Sequence, residues 1–268
     1  MDNLIYLYGI IPESEAADHS LDKMKDFEET GFLQMLPVDD VIAITCLLDA
    51  SKYTEESIQD KIDNDMEWLQ EKAFHHHETV MNLSKLFTVI PLKFCTLYKN
   101  EDSLRTSILE NEEKMLRTLE SIAGKEEWNL KVYCDDQLLK EQFSENNPAA
   151  EAKRAEISEL SKGRQFFEKK KLDKWMETEI EAEKDTVSEA IHRELCDLST
   201  CGHVKKTWSK DVTGKKDPMT WNSVYLMEVE KVEQFLERIQ QYQKDMKAAG
   251  WQFEASGPWP AYHFSSLS

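Results

Sequence analysis

No apolar stretch in this 268-residue sequence approaches the ~20 residues that a bilayer-spanning helix needs; the longest, Val41 to Leu48, is less than half of that. The N-terminus has no basic segment followed by an apolar one, so no export signal is read there and the expected compartment is the cytoplasm. Positive charge is scarce. With 33 basic residues against 52 acidic ones, the net charge is −19, which repels phosphate backbones and anionic lipid surfaces and argues against nucleic acid or membrane insertion. Cysteine is sparse and odd in number: Cys46, Cys95, Cys134, Cys196 and Cys201 lie mostly inside apolar segments. They read as buried free thiols in a reducing compartment and not as a disulfide framework. Gly-x-Ser-x-Gly elbows and paired glycine-rich loops are absent, and Gly214-Lys215-Lys216 lacks the preceding glycine of a phosphate loop. The carboxylates fall on helix faces near Lys and Arg, where they solubilise, so no catalysis is expected.

What is present alternates strands with helices. Leu4 to Ile11 is β-branched and aromatic and halts at Pro12, a buried strand, and Val41 to Leu48 has the same character. The acidic stretch from Glu13 to Thr30 is weakly patterned and is assigned to a helix ending at Gly31. Thr54, followed by Glu55 and Glu56, is a helix N-cap, and Ile58, Ile62, Met66, Leu69, Ala73 and Val80 keep a period near 3.6, which predicts one long helix as far as Leu83. A strand from Phe87 to Phe94, interrupted at Pro91, follows. Leu104, Ile108, Met115, Leu119 and Ile122 make a second helical stripe closed by Gly124, and Trp128, Leu130, Val132 and Cys134 alternate as a half-buried strand. This order suits an α+β sheet in the manner of a split βαβ unit.

Asn147-Pro148 combines a capping residue with a proline suited to the first helical turn. From Pro148 to about Leu198 the chain is almost free of Gly and Pro and dense in Glu, Lys and Ala, which predicts long helices with Gly163 as the kink. Strands are assigned to Val204–Ser209 and Trp221–Met227, joined by a turn at Gly214 and Asp217-Pro218. An amphipathic helix through Val232, Leu236 and Ile239 then ends at Gly250, before an alternating strand through Trp251, Phe253 and Ala255.

Two groups invite a metal reading. His75-His76-His77 is adjacent in sequence, whereas helical ligand pairs need a spacing of three or four; only His76 falls within the apolar stripe, so a structural role is favoured. His192, Cys196, Cys201 and His203 offer thiolate and imidazole, with the first two one helical turn apart, but the gap from Cys196 to Cys201 is wider than a zinc knuckle. Neither is assigned a metal, and no cofactor is expected.

Blocks along nearly the whole chain resemble the gas vesicle protein F/L family. In the first half they are Tyr6-Leu7-Tyr8-Gly9, Val41-Ile42-Ala43-Ile44, His77-Glu78, Val89-Ile90-Pro91-Leu92-Lys93-Phe94, Glu126-Glu127-Trp128 and Lys131-Val132-Tyr133. In the second half they are Leu160-Ser161-Lys162-Gly163-Arg164-Gln165-Phe166-Phe167, Asn222-Ser223-Val224-Tyr225-Leu226 and the tail Gly257-Pro258-Trp259-Pro260-Ala261-Tyr262-His263-Phe264. Ala261 stands where the family usually has a second proline, and His263 where it has a small polar residue. Cys95 occupies a position where the family carries small residues.

The resemblance implies an α+β fold of two domains, each a modified ferredoxin-like sheet with helices packed on it, with long helices opening the second. The expected division is 1–138 and 139–268. The implied role is an accessory protein needed for gas vesicle formation, which binds the hydrophobic shell subunit and other accessory proteins. A minor component of the vesicle wall is the alternative, and a metal-dependent enzyme or a coiled-coil scaffold are rivals from other classes. The residues expected to matter for partners or structure are Tyr6, Tyr8, His77, Glu78, Pro91 and Phe94, then Arg164, Tyr225, Trp259, Pro260, Tyr262 and Phe264. The tail reads as a clamp over the protein's own core in preference to a partner-binding strip.

Overall fold

The computed structural model describes residues 3–266, the side chains of Asp18 and Asn146 excepted. The chain divides into two compact units, one built from residues up to Glu127 together with those from Pro258 onward, the other spanning Trp128–Gly257. The expected single boundary at 138 differs from this in two ways. The division falls inside a strand, and the tail is counted with the first unit, because Tyr262 packs against that unit's core.

In the first unit, β1 (Asn3–Pro12) is followed by a 3-10 turn at Glu13–Asp18, β2 (Gln34–Val38), β3 (Val41–Asp49), α1 (Glu55–Asn64), α2 (Met66–Ser84), β4 (Ile90–Pro91), β5 (Leu97–Tyr98) and α3 (Glu101–Ile122). The sheet order is β2-β3-β1-β4, with β5 also paired to β1. β1 is central and antiparallel to β3, β4 and β5. That position explains why its residues from Ile5 to Ile11 are apolar or aromatic on both faces, with no solvent-facing alternation. Gly9 follows an irregularity in the register with β3, where Leu7 opposes Thr45 and Gly9 opposes Ile44. A Cβ at Gly9 would lie 2.6 Å from Val89 Cγ2 and 3.1 Å from the Ile90 carbonyl oxygen, so β4 can approach only a glycine.

The second unit's sheet starts with β6 (Lys125–Cys134), whose first three residues are counted with the first unit. It continues through α4 (Asp136–Asn146), α5 (Pro148–Ser158), α6 (Lys162–Asp197), β7 (Cys201–Val204), α7 (Lys210–Thr213), β8 (Met219–Glu228), α8 (Val232–Met246) and β9 (Trp251–Trp259). The sheet order is β7-β8-β6-β9. Numbered within its own unit, each sheet runs second-third-first-fourth, the strand order of the ferredoxin-like split βαβ. Each unit modifies it: the first crossover carries only a short 3-10 turn in one and three helices in the other.

Caps written in local sequence form as expected. Thr54 accepts from the Ser57 amide, Asn147 accepts from the Ala149 and Ala150 amides, and Gly124 and Gly250 take positive φ after their helices. Elsewhere the structure departs from the sequence reading. The helix expected over Glu13–Thr30 is a 3-10 turn followed by an irregular loop, tied by an Asp26 carboxylate accepting from the Thr30 amide and plugged into the core by Leu21 and Phe27. The single helix from Thr54 breaks at Asp65, whose carboxylate caps a new helix through the Trp68 amide at 3.0 Å. The strand over Phe87–Phe94 shrinks to Ile90–Pro91; Phe87 and Val89 are apolar because they fill the core. Gly163 does not kink α6. It sits in that helix's first turn, and the break falls at residues 159–161. The strand expected at Val204–Ser209 lies earlier, at Cys201–Val204.

Candidate functional site

Of the side chains singled out in the first half, Tyr6, Tyr8 and Phe94 converge on His76 of α2, which is 4% exposed. Its Nε2 lies 3.1 Å from the Leu92 carbonyl oxygen, which can only accept, so Nε2 carries the proton. Its Nδ1 is then an acceptor, filled by the Tyr6 hydroxyl at 2.8 Å, and that hydroxyl in turn accepts from the Cys95 amide at 3.1 Å. Burial pushes the His76 imidazole down to about 4, which keeps this neutral pattern in place at ordinary pH. Tyr8 stacks on the same ring at 5.4 Å and Phe94 meets it edge-on at 5.9 Å. The network pins β1, α2 and the loop after Pro91 to one another. Cys95 adopts φ +62° to present its amide there, a backbone state that favours a small residue. Pro91 is buried opposite Gly9.

His77 points to a different neighbour. Its ring lies 5.4 Å from Trp259 and 6.4 Å from Tyr262, so the helix carrying it meets the aromatic tail. Pro260 and Ala261 are buried, and Tyr262 packs against the first unit's core. The tail turns tightly here: the Phe264 amide donates to the Ala261 carbonyl at 3.2 Å, and the Ser265 hydroxyl donates to that same carbonyl. His263 adds a tie of its own. Its amide and Nδ1 reach the two oxygens of Glu127, a carboxylate 1% exposed, at 2.9 and 2.6 Å. Glu78 is exposed on α2.

In the second unit Tyr225 of β8 is fully buried, with its hydroxyl 2.8 Å from His192 Nδ1 and 3.1 Å from Ser223 Oγ. A strand tyrosine bonded to a helix histidine thus occurs in both units. Cys196 Sγ lies 3.6 Å from His192 Nε2, but among the described residues no group of three or more His, Cys, Asp or Glu is arranged to hold a metal ion. Arg164 is exposed as the third residue of α6, and beside it Phe166 and Phe167 are 58% and 67% exposed, packed edge to face at 5.8 Å. Sequence reading matched this block without seeing that its aromatics are left in solvent.

Burial drives the Cys46 and Cys95 thiols up to about 11 and Cys134 to about 12, so they stay protonated and unreactive at neutral pH. His76 has both ring nitrogens engaged and no side to offer a substrate. No described helix is long and apolar enough to cross a membrane.

The family described as gas vesicle synthesis protein GvpL/GvpF matches residues 4–266. The chain belongs to that family. Membership implies a role in gas vesicles. Among GvpL/GvpF relatives, a gas vesicle protein L from Streptomyces sp. (strain CB03234) is 23% identical over 235 residues, covering 88% of this chain and 84% of that protein. The crystal structure of GvpF from Anabaena sp. PCC7120 superposes with a TM-score of 0.73 at 15% identity over the full length of both chains. That of GvpF from Microcystis aeruginosa gives 0.67 at 16% identity, covering 98% of this chain and 99% of the other. At such identities the likeness is one of fold, and the expected α+β architecture of two sheets with helices is the one found.

Proposed function

We propose that this GvpL/GvpF-family chain is a cytoplasmic accessory in gas vesicle formation that binds the hydrophobic shell subunit and other accessory proteins, and that it performs no bond chemistry. The observation that carries the reading is the solvent exposure of Phe166 and Phe167. Of the family-like side chains, Tyr6, Tyr8, Pro91, Tyr225 and Pro260 are spent on the protein's own cores. Phe166, Phe167 and Arg164 are not, and exposed aromatics flanked by cations are the usual anchors of a protein interface. The same α5–α6 pair carries an open groove of about 310 Å³, lined by Ile157 and Leu172 together with Arg154, Ser158, Gln165 and Lys169. The exposed phenyl rings beside this groove offer apolar contact to a hydrophobic partner surface. The net charge of −19 keeps the loaded complex from clumping.

Co-expression of the shell subunit with a tagged chain tests this. The shell subunit is expected to co-purify with the wild-type chain and to be lost, by about tenfold or more, from a Phe166→Ser/Phe167→Ser variant that keeps its fold. A shell subunit that fails to co-purify with the wild-type chain, or that the folded variant retains in full, would overturn this reading.

A further inference from the structure

Where β1 ends, Pro12 and the 3-10 turn meet the last turns of α3 and leave an open groove of about 430 Å³, within the size range of clefts that take ligands, about 300–1,000 Å³. Leu116 and Leu119 lie in its floor, and Glu13, Glu15, Asp40 and Glu120 line it. Glu15 accepts from the Thr88 amide at 2.6 Å, and among the described residues no Lys or Arg pairs with any of the four carboxylates. The groove is therefore apolar beneath, negative around, and without an internal counter-charge.

The complementary surface exists on the same polypeptide. Between Lys162 and Lys174 the start of α6 carries six cations, Lys162, Arg164, Lys169, Lys170, Lys171 and Lys174, against Glu168 and Asp173. Lys171 pairs with Glu168 and Lys170 covers the Phe166 ring at 4.7 Å, while Lys162, Arg164, Lys169 and Lys174 have no ion pair among the described residues. On a chain of net charge −19 this cationic, aromatic helix surface is a local exception.

The geometry points to self-association: the start of α6 in one copy docks into the acidic groove beside α3 in a second copy. The phenyl rings of Phe166 and Phe167 meet Leu116 and Leu119, and the lysines meet the rim carboxylates. Groove and helix are different surfaces, so the contact is heterologous and each copy keeps one unused half. The helix surface is also the one offered to the shell subunit, so the two uses exclude each other, and the contact would shield Phe166 and Phe167 when no shell subunit is bound. Salt acts on it in two directions. Repulsion between two strongly acidic chains is long-ranged and is screened beyond about 10 Å at 0.1 M salt, whereas contact pairs in a partly desolvated groove resist screening longer. Association therefore peaks at intermediate ionic strength.

Sedimentation velocity on the full chain across a concentration series tests this with no shell subunit present, so its outcome is independent of shell-subunit binding. The wild-type chain is expected to shift to larger species as concentration rises at intermediate salt, and less so at either extreme. Glu13→Lys/Glu120→Lys and Lys169→Glu/Lys170→Glu are each expected to weaken self-association by about tenfold. Mixing the two variants is expected to restore association, because the unmodified helix of one then meets the unmodified groove of the other, and the reversed groove meets the reversed helix. Both pairs of changes are at exposed positions, and an unchanged circular dichroism spectrum and unfolding midpoint verify the fold. A wild-type chain that stays monomeric at every concentration and salt, or variants that associate as it does, overturns the proposal.

Discussion

At the scale of single residues, Tyr6 shows how a few polar atoms fix the first unit. Its hydroxyl satisfies His76 and the Cys95 amide at once in a site closed to water. Tyr6→Phe leaves both unpaired, and the expected loss is about 1–3 kcal/mol, read as a lower urea midpoint for the first unit. His76 makes that unit acid-sensitive. Its folded pKa, about 4, lies below the ordinary 6.5, so between these values the unfolded chain binds a proton that the folded one does not. The stability it confers is complete above pH 6.5 and falls as pH drops toward 4, by roughly 3 kcal/mol in all. Unfolding midpoints across that range are expected to show the slope, and His76→Gln to lose its share of it while being less stable at neutral pH. Helical periodicity was enough to place His76 on the apolar stripe. Its hydrogen-bond partners were not legible, because Tyr6 lies 70 residues before it and Leu92 16 after it.

Elements formed as read where their signals were local. Thr54, Asn147, Gly124 and Gly250 act through neighbours within a few residues, and each terminates or starts a helix where the sequence placed it. The misread elements depend on distant partners or on competing caps. Asp65 sits mid-stripe, and periodicity alone does not reveal that its carboxylate captures the Trp68 amide and restarts the helix. The Glu13–Thr30 segment is organised by Leu21 and Phe27 inserting into a core made by other strands, which no local propensity encodes. Gly9 is the reverse case, a residue whose reason becomes visible only when β4 is placed beside it. Gly9→Ala is expected to push β4 away from β1 and to destabilise the first unit by about 1–3 kcal/mol, measurable by thermal or urea unfolding.

For the whole molecule, strand order repeats where sequence does not. Both sheets run second-third-first-fourth, and in each a strand tyrosine bonds a helix histidine, Tyr6 to His76 and Tyr225 to His192. The first pair joins a first strand to the second crossover and the other joins a third strand to the first crossover, which are corresponding places in the two halves of a split βαβ. The α+β class was legible from alternating strand and helix periods. The division of the chain was not, since it depends on Tyr262 and Glu127 closing the tail onto the first unit after the whole second unit has been made. Nor was the contrast between an acidic surface and a cationic, aromatic patch on α6, because pattern alone assigns no exposure to Phe166 and Phe167. Counting gas vesicles by electron microscopy tests that patch most directly, in cells whose copy of this gene is deleted and then complemented. The account predicts abundant vesicles with the wild-type chain and few or none with no chain or with Phe166→Ser/Phe167→Ser expressed at equal level. Normal vesicles in the deletion strain, or full rescue by the folded variant, would contradict it.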